Sequence, residues 1–337
     1  MKNRKVFIIS RIDAIGDVTL TLPMAGLLKQ KHPDCCIYFL GQNYTKPIVD
    51  CCKNVDVFLD WTEIKQLTQK KQISFFKKLS ADEIIHVFPS KEIAKLGKSA
   101  KIPVRTGTRN RFYHWIYCNN LVKLSRKKSN LHEAQLNTIL LHTVQNQIVT
   151  PLEEISSLYG LEQINPLGER LQKYIVQGKI NLILHPKSKG SAREWGLENY
   201  ANLIKLLPQE KYNILLTGTE NEGSLYREIL VFPYPFVHDL SGKLSLEDLI
   251  SLINSADALV ACSTGPLHIA AALNKLAVGI YPPIRPMHPA RWSPVGKNTR
   301  VLVAEKECNQ CRKTADCQCI RSIKPTEVLQ ILTENFG

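Results

Sequence analysis

The chain has 337 residues, 44% hydrophobic and 22% charged, a composition that excludes a disordered chain and fits two ordinary domains or one large one. Its formal net charge of +14 sits almost wholly in one half: residues 1–150 hold 24 Lys/Arg against 11 Asp/Glu, residues 151–337 hold 20 against 19. No apolar run approaches the roughly 18 residues of a membrane span, and the run at 6–9 behind Lys2, Arg4 and Lys5 stops at Ser10 and Arg11, too short for a signal-peptide core, so a cytoplasmic protein is expected.

In chain order, a β-branched run at 4–10 predicts a first strand, then a turn R-I-D-A-I-G-D at 11–17 and a helix from 18 to about 31 with Pro23 in its first turns. Strands are predicted at 36–41, 55–60 and 82–88, with a Lys-rich helical stretch between the last two. Residues 103–130 are basic and aromatic without a clear period, which predicts an irregular surface segment with some short helix; a helix from 131 to about 145 follows. Pro151, Gly160 and Pro166 mark a joint, dividing the chain into 1–155 and 156–337. The second half predicts strands at 179–186, 212–218, 257–265 and 276–283, alternating with helices at 198–207, 245–256 (N-cap Ser245) and 266–274. Strand–helix alternation, twice over, predicts two α/β layers with parallel sheets.

Ligands of open α/β sheets bind beyond the carboxyl ends of strands. After the first strand, Gly16 lets backbone approach a ligand, and Asp17 is either a helix-capping carboxylate or a general base, with Asp13 its rival. After the strand at 179–186 comes K-S-K-G-S-A-R-E-W, a basic, hydroxyl-rich loop suited to phosphate oxygens, with Lys187, Ser188 and Arg193 as candidates. After the strand at 257–262, Ser263, Thr264 and Gly265 open a helix with Pro266 near its first position, and His268 is either a site residue or a core histidine. The stretch 64–128 alone holds 16 basic and 3 acidic residues, which implies an anionic partner or, more blandly, a solvated Lys-rich face.

In order and spacing, R-I-D-A-I-G-D-V-T-L-T-L-P (11–23), H-P-K-S-K-G-S-A-R-E-W (185–195), and S-T-G-P-L-H-I-A-A-A-L with P-P-I-R-P-M-H-P-A-R-W-S-P-V-G (263–273 and 282–296) resemble glycosyltransferase family 9, the lipopolysaccharide heptosyltransferases and their relatives. The resemblance implies a GT-B fold, two Rossmann-like domains with parallel sheets facing across a cleft: 1–155 for the acceptor and 156–337 for a nucleotide sugar. It implies an inverting, metal-independent transferase with no catalytic cofactor, Asp17 as base, Arg193 on donor phosphates, Thr264 and Gly265 as the phosphate-binding turn, and Glu220 or Glu222 at the nucleoside. The implied donor is an ADP-sugar, ADP-heptose in heptosyltransferases, and the acceptor an anionic saccharide or glycolipid. Ser263 stands where many members carry Asp, and Lys187 where many carry Gly, both at positions of sugar and phosphate recognition. On the acceptor side, Arg11, Asp13, Gly16, Arg105, Arg109, Arg111, Lys127, Lys128 and His132 are expected to contribute, with Phe112, Tyr113 and Trp115 resting at the inner face of the membrane. The rival readings are a nucleic-acid-binding protein, for which no motif speaks, and a family member that binds acceptor without activity.

Ten cysteines in a cytoplasmic chain argue against a disulfide framework. Four of them, Cys308, Cys311, Cys317 and Cys319, have the spacing C-x2-C-x5-C-x-C, which leaves a structural zinc, a local disulfide and buried thiols all open.

Overall fold

The computed structural model describes residues 4–142, 148–231, 234–285, 287–304 and 317–337. The chain forms two compact units, Met1–Gln163 and Ile164–Gly337. The division falls beyond the joint expected at 155/156, and local packing explains why. Helix Leu152–Ser156 is followed by an antiparallel bridge between Cys52 and Leu161, and Lys53 pairs with Glu162, so residues up to 163 belong to the first unit. Gly26 is needed in the same contact, because a Cβ there would run into the Leu158 carbonyl.

The first unit carries β1 (Val6–Ser10), β2 (Cys36–Gly41), β3 (Val57–Asp60), β4 (Glu83–His86), β5 (Val104–Thr108) and β6 (Asn120–Val122), in the order β3-β2-β1-β4-β5-β6. The second carries β7 (Ile180–His185), β8 (Tyr212–Leu216), β9 (Val237–Asp239), β10 (Ala258–Cys262), β11 (Leu276–Tyr281) and β12 (Thr299–Val303), in the order β12-β11-β10-β7-β8-β9. Every strand pairing in both sheets is parallel. Central strands read as near-continuous apolar runs because helices cover both faces, as the wholly buried A-L-V-A-C of β10 illustrates; edge strand β12 is largely exposed. In each sheet the strand order reverses once, between β1 and β4 and between β7 and β10. These reversals are the crevices where such sheets hold ligands.

Four strands escape the sequence reading: β5, β6, β9 and β12. Within the 103–130 segment, helix Phe112–Tyr117 is set between β5 and β6, while residues 123–130 are irregular as expected. β5 (V-R-T-G-T) and β6 (N-L-V) are short and half polar, so neither alternation nor an apolar run marks them. The helix expected from 18 to about 31 is two, Ile15–Thr19 and Pro23–Lys31, because Pro23 cannot continue a helix but fits its first turn. The helix expected at 131–145 is described as Glu133–Ile139.

Candidate active site

Arg11, the first residue beyond β1, is 3% exposed and organises the crevice of the first unit. Its Nε donates to Asp13 Oδ1 at 2.6 Å, its Nη2 to Asp17 Oδ1, and its Nη1 to Glu133 Oε1 at 3.2 Å and Asn137 Oδ1 at 3.3 Å. A second guanidinium repeats the last pair: Arg126 Nε donates to Glu133 Oε1 at 2.7 Å and its Nη2 to Asn137 Oδ1 at 2.9 Å. Glu133 and Asn137 stand one turn apart on one face of helix Glu133–Ile139, so one helix presents two acceptors to two arginines. Asn137 Nδ2 donates to the Leu20 carbonyl and Thr21 Oγ1, tying that helix to the chain just after Asp17. Gln42 and Tyr44 hold the turn's backbone through the Ile12 and Asp13 carbonyls.

Three carboxylates share two guanidinium groups here. Burial works against the Arg11 charge, and Asp17, Asp13 and Glu133 more than restore it. Asp17 is pushed up to about 6, chiefly by burial; Arg11 and Arg126 pull it down, while Asp13 and Glu133 push it further up. Asp13 is also raised by burial, against the pull of Arg11. Arg11 bonds Asp17 directly yet does not restore an ordinary acid, because its charge is divided among three carboxylates. A partly exposed carboxylate that takes up a proton near neutral pH can act as a general base.

In the second unit, the turns after β7 and β10 flank the reversal. Lys187 Nζ donates to Glu194 Oε2 at 2.5 Å, and Ser188 donates through N and Oγ to Glu194 Oε1, both at 3.1 Å, so Glu194 braces the loop. Lys189 (φ 49°) and Gly190 (φ 80°) take left-handed backbone at its tip. Trp195 is fully buried, its Nε1 donating to the Ile323 carbonyl at 2.8 Å, which anchors the loop behind half-buried Arg193. His185 Nδ1 meets Thr217 Oγ1 at 2.9 Å, joining the ends of β7 and β8, and burial lowers its imidazole to about 4.

Thr264 is the N-cap residue of helix Gly265–Ala272, but its hydroxyl does not cap the helix: Oγ1 is buried and, among the described residues, has no hydrogen-bond partner. An unpartnered hydroxyl beside open helix N–H groups is a place for an anionic oxygen. Ser263 lies against buried Tyr281, and His268 is 3% exposed one turn into the helix.

Several expected site residues also make contacts within the protein. Glu220 is engaged by Arg227, which donates to both its oxygens at 2.6 and 2.7 Å. Glu222 is 7% exposed and closes a capping box by accepting from the Thr219 N–H and hydroxyl, both at 2.8 Å. His132 is 1% exposed and caps helix Glu133–Ile139 through Nδ1, so it is a helix cap and not a surface cation. Arg105 donates to the Tyr117 and Ile102 carbonyls, which ties β5 to the following helix. Arg109, Arg111, Lys127 and Lys128 are exposed.

Arg126, Glu133 and Asn137 are missed by sequence reasoning, although Glu133 is the only acidic residue between 93 and 150, a signal that was there to find. Cys317 is buried and Cys319 half-buried; Cys308 and Cys311 lie outside the described residues. Among the described residues no cluster of three metal-ligating side chains occurs, and no helix is long and apolar enough to cross a membrane. A separate cavity of 290 Å³ is lined by Trp61, Lys65, Glu92 and Lys95 among others and shares no residue with either crevice.

Two parallel six-stranded α/β sheets, each with its candidate residues at the strand-order reversal, give the chain a GT-B fold. The chain matches glycosyltransferase family 9 (heptosyltransferase) over residues 73–320, and it belongs to that family. It is 27% identical over 305 residues, 86% of either chain, to a Haemophilus influenzae protein whose name gives it as a glycosyltransferase by inference only. It is 24% identical over 315 residues, 89% of either chain, to lipooligosaccharide heptosyltransferase 2 of the same organism. Among solved structures, the fold resembles E. coli ADP-heptose lps heptosyltransferase II, with TM-score 0.76 and 21% identity over 98% of both chains. It also resembles E. coli heptosyltransferase WaaC with ADP-2-deoxy-2-fluoro heptose, with TM-score 0.71 and 18% identity over 98% of this chain and 99% of that one.

Proposed function

We propose that the protein moves a sugar, heptose from ADP-heptose, onto an anionic lipopolysaccharide-core or related saccharide, with inversion and without a catalytic metal. The observation that carries this reading is Asp17, a partly exposed carboxylate at the sheet reversal whose acidity is weakened to about 6. It takes the proton of the acceptor hydroxyl as that oxygen bonds to the anomeric carbon; the bond from that carbon to the diphosphate breaks, and the nucleoside diphosphate leaves. Charge on the departing phosphate falls to Arg193, the Thr264 hydroxyl and the N–H groups at Gly265. The donor is proposed by similarity to relatives whose names carry ADP-heptose. The test is a panel of nucleotide sugars, incubated with and without a core oligosaccharide, scored by nucleotide release. ADP release that needs acceptor, and rises with pH through about 6 as Asp17 ionises, supports the reading. Release from a different nucleotide sugar alone overturns the donor, and no release from any sugar overturns the activity.

The acceptor is proposed to be held at the inner face of the cytoplasmic membrane. Helix Phe112–Tyr117 leaves Phe112 81% and Trp115 59% exposed beside Arg109 and Arg111, and residues 93–132 hold ten Lys/Arg and no Asp/Glu. Aromatic tips among cations suit an anionic bilayer surface. Sedimentation with anionic vesicles should weaken with salt and with Arg109→Glu/Arg111→Glu. Binding indifferent to both overturns the membrane face, and salt-sensitive binding to single-stranded nucleic acid in its place supports the rival partner. The thiols Cys308, Cys311, Cys317 and Cys319 remain proposed ligands of a structural zinc. Metal analysis with thiol titration decides: about one zinc per chain supports a four-thiolate site, no zinc with thiols lost to oxidation points to a local disulfide, and no zinc with all thiols free leaves packing groups.

A further inference from the structure

Glu133 and Asn137 hold the same two acceptor oxygens against two guanidinium groups: Arg11, which bonds Asp17, and Arg126, whose charge also reaches Asp17. Glu133 is 1% exposed and Asn137 fully buried, so the pair is a fixed post and not a surface contact. A buried carboxylate that touches no reacting atom, yet divides the charge of both arginines beside the base, governs how much positive charge the base feels. We infer that Glu133 is a positioning residue that sets the basicity of Asp17, and that Arg126 is its counterweight. The inference rests on the reading of Asp17 as base.

The groups that bear on Asp17 come from every neighbouring element. Arg11 and Asp13 lie in its own turn, Glu133 on the helix, Arg126 in the segment before that helix, and Tyr44 on the segment after β2. Asp13 and Glu133 raise the acid; Arg11 and Arg126 lower it. The two new roles therefore have opposite signs. Removing the Glu133 charge lets Arg11 and Arg126 act fully on Asp17, which lowers its pKa and makes it a weaker base. Removing the Arg126 charge raises the pKa. Asn137 is neutral and supplies aim but no charge, so its replacement loosens Arg11 without a fixed direction of shift.

The test is the pH profile of kcat/KM for sugar transfer by the full chain, with the acid limb as the readout. Glu133→Gln keeps an oxygen for both arginines, so their placement survives while the charge is removed. The limb should move to lower pH by about 0.5–1 unit, with a lower plateau because the base is weaker. Arg126→Gln should move it to higher pH by a similar amount. A fold defect lowers the plateau of both variants but cannot move the limb in opposite directions. If Glu133→Gln does not fold, the upward shift of Arg126→Gln still supports the coupling. Limbs that stay at the wild-type pH in whichever variants fold overturn it, whatever their plateaus. Asp17→Asn in the same series separates the layers: if that variant retains transfer, the base reading itself fails, whereas unmoved limbs with an inactive Asp17→Asn leave the base reading intact and remove Glu133 alone.

Discussion

At the sheet reversal of the first unit, Arg11 and Arg126 are packed against Asp13, Asp17 and Glu133 around the turn after β1. At the reversal of the second unit the turns after β7 and β10 carry hydroxyls, backbone N–H groups and one Lys187–Glu194 pair that is 21% and 29% exposed. The difference follows from what each place must do. A base needs its proton affinity set by fixed, desolvated charges, which requires burial and many partners. A phosphate needs donors that wait without a partner, which favours an open helix end such as that at Thr264, whose Oγ1 has no partner among the described residues. Charge is therefore a structural material throughout the first crevice, whereas in the second it braces one loop through Glu194 and the helix start at Thr264 is left to hydroxyl and N–H groups.

The largest expected effect separates the two on stability. Arg11→Met takes the direct partner from Asp13 and Asp17 and leaves Glu133 with Arg126, and urea denaturation should record a loss of about 3–5 kcal/mol, the cost of breaking a buried ion network from one side. Lys187→Met, the matching change in the second unit, should cost under about 1 kcal/mol, because its pair is partly exposed. Equal losses would erase the contrast. Next in size is Arg193→Ala, which should weaken ADP binding by about 1.5–3 kcal/mol in calorimetry, the contribution of a charge-assisted hydrogen bond. Unchanged affinity would place the phosphates elsewhere. Smallest is Thr264→Val, which removes a hydroxyl that has no partner among the described residues. It should leave the melting temperature unchanged or slightly higher while weakening ADP binding by about 0.5–1.5 kcal/mol. A destabilised Thr264→Val that binds ADP normally would turn that hydroxyl into a packing group.

The sequence makes the central strands legible, because strands buried on both faces read as apolar runs between turn residues; seven are marked in this way, and the half-exposed edge strand β3 is legible as well. β5, β6, β9 and β12 are not, being short, half polar or at an edge, and the basic 103–130 segment hides two of them among its charges. Residues adjacent in the chain to a strand end are legible as site candidates for the same reason: Arg11, Asp13 and Asp17 after β1, Ser188 after β7 and Thr264 after β10. Glu133 and Arg126 reach the site from more than a hundred residues away, through a helix docked against the turn, and no local pattern encodes that docking. The acidic candidates of the second unit are ambiguous in the sequence for a different reason. Glu220 and Glu222 open a helix after β8, and a carboxylate in a first helical turn serves as a cap or an ion-pair partner as readily as a ligand contact.

The central claim is a division of labour, with proton removal by the first unit and donor binding by the second, and Asp17→Asn tests it most directly. Transfer and donor affinity are measured on the same preparation, by ADP release with acceptor and by calorimetry with ADP. The account predicts that transfer falls by roughly 10²–10⁴-fold, the typical contribution of a general base, while ADP affinity stays at the wild-type value. Turnover within a few-fold of wild type, or a parallel loss of ADP binding, would contradict it.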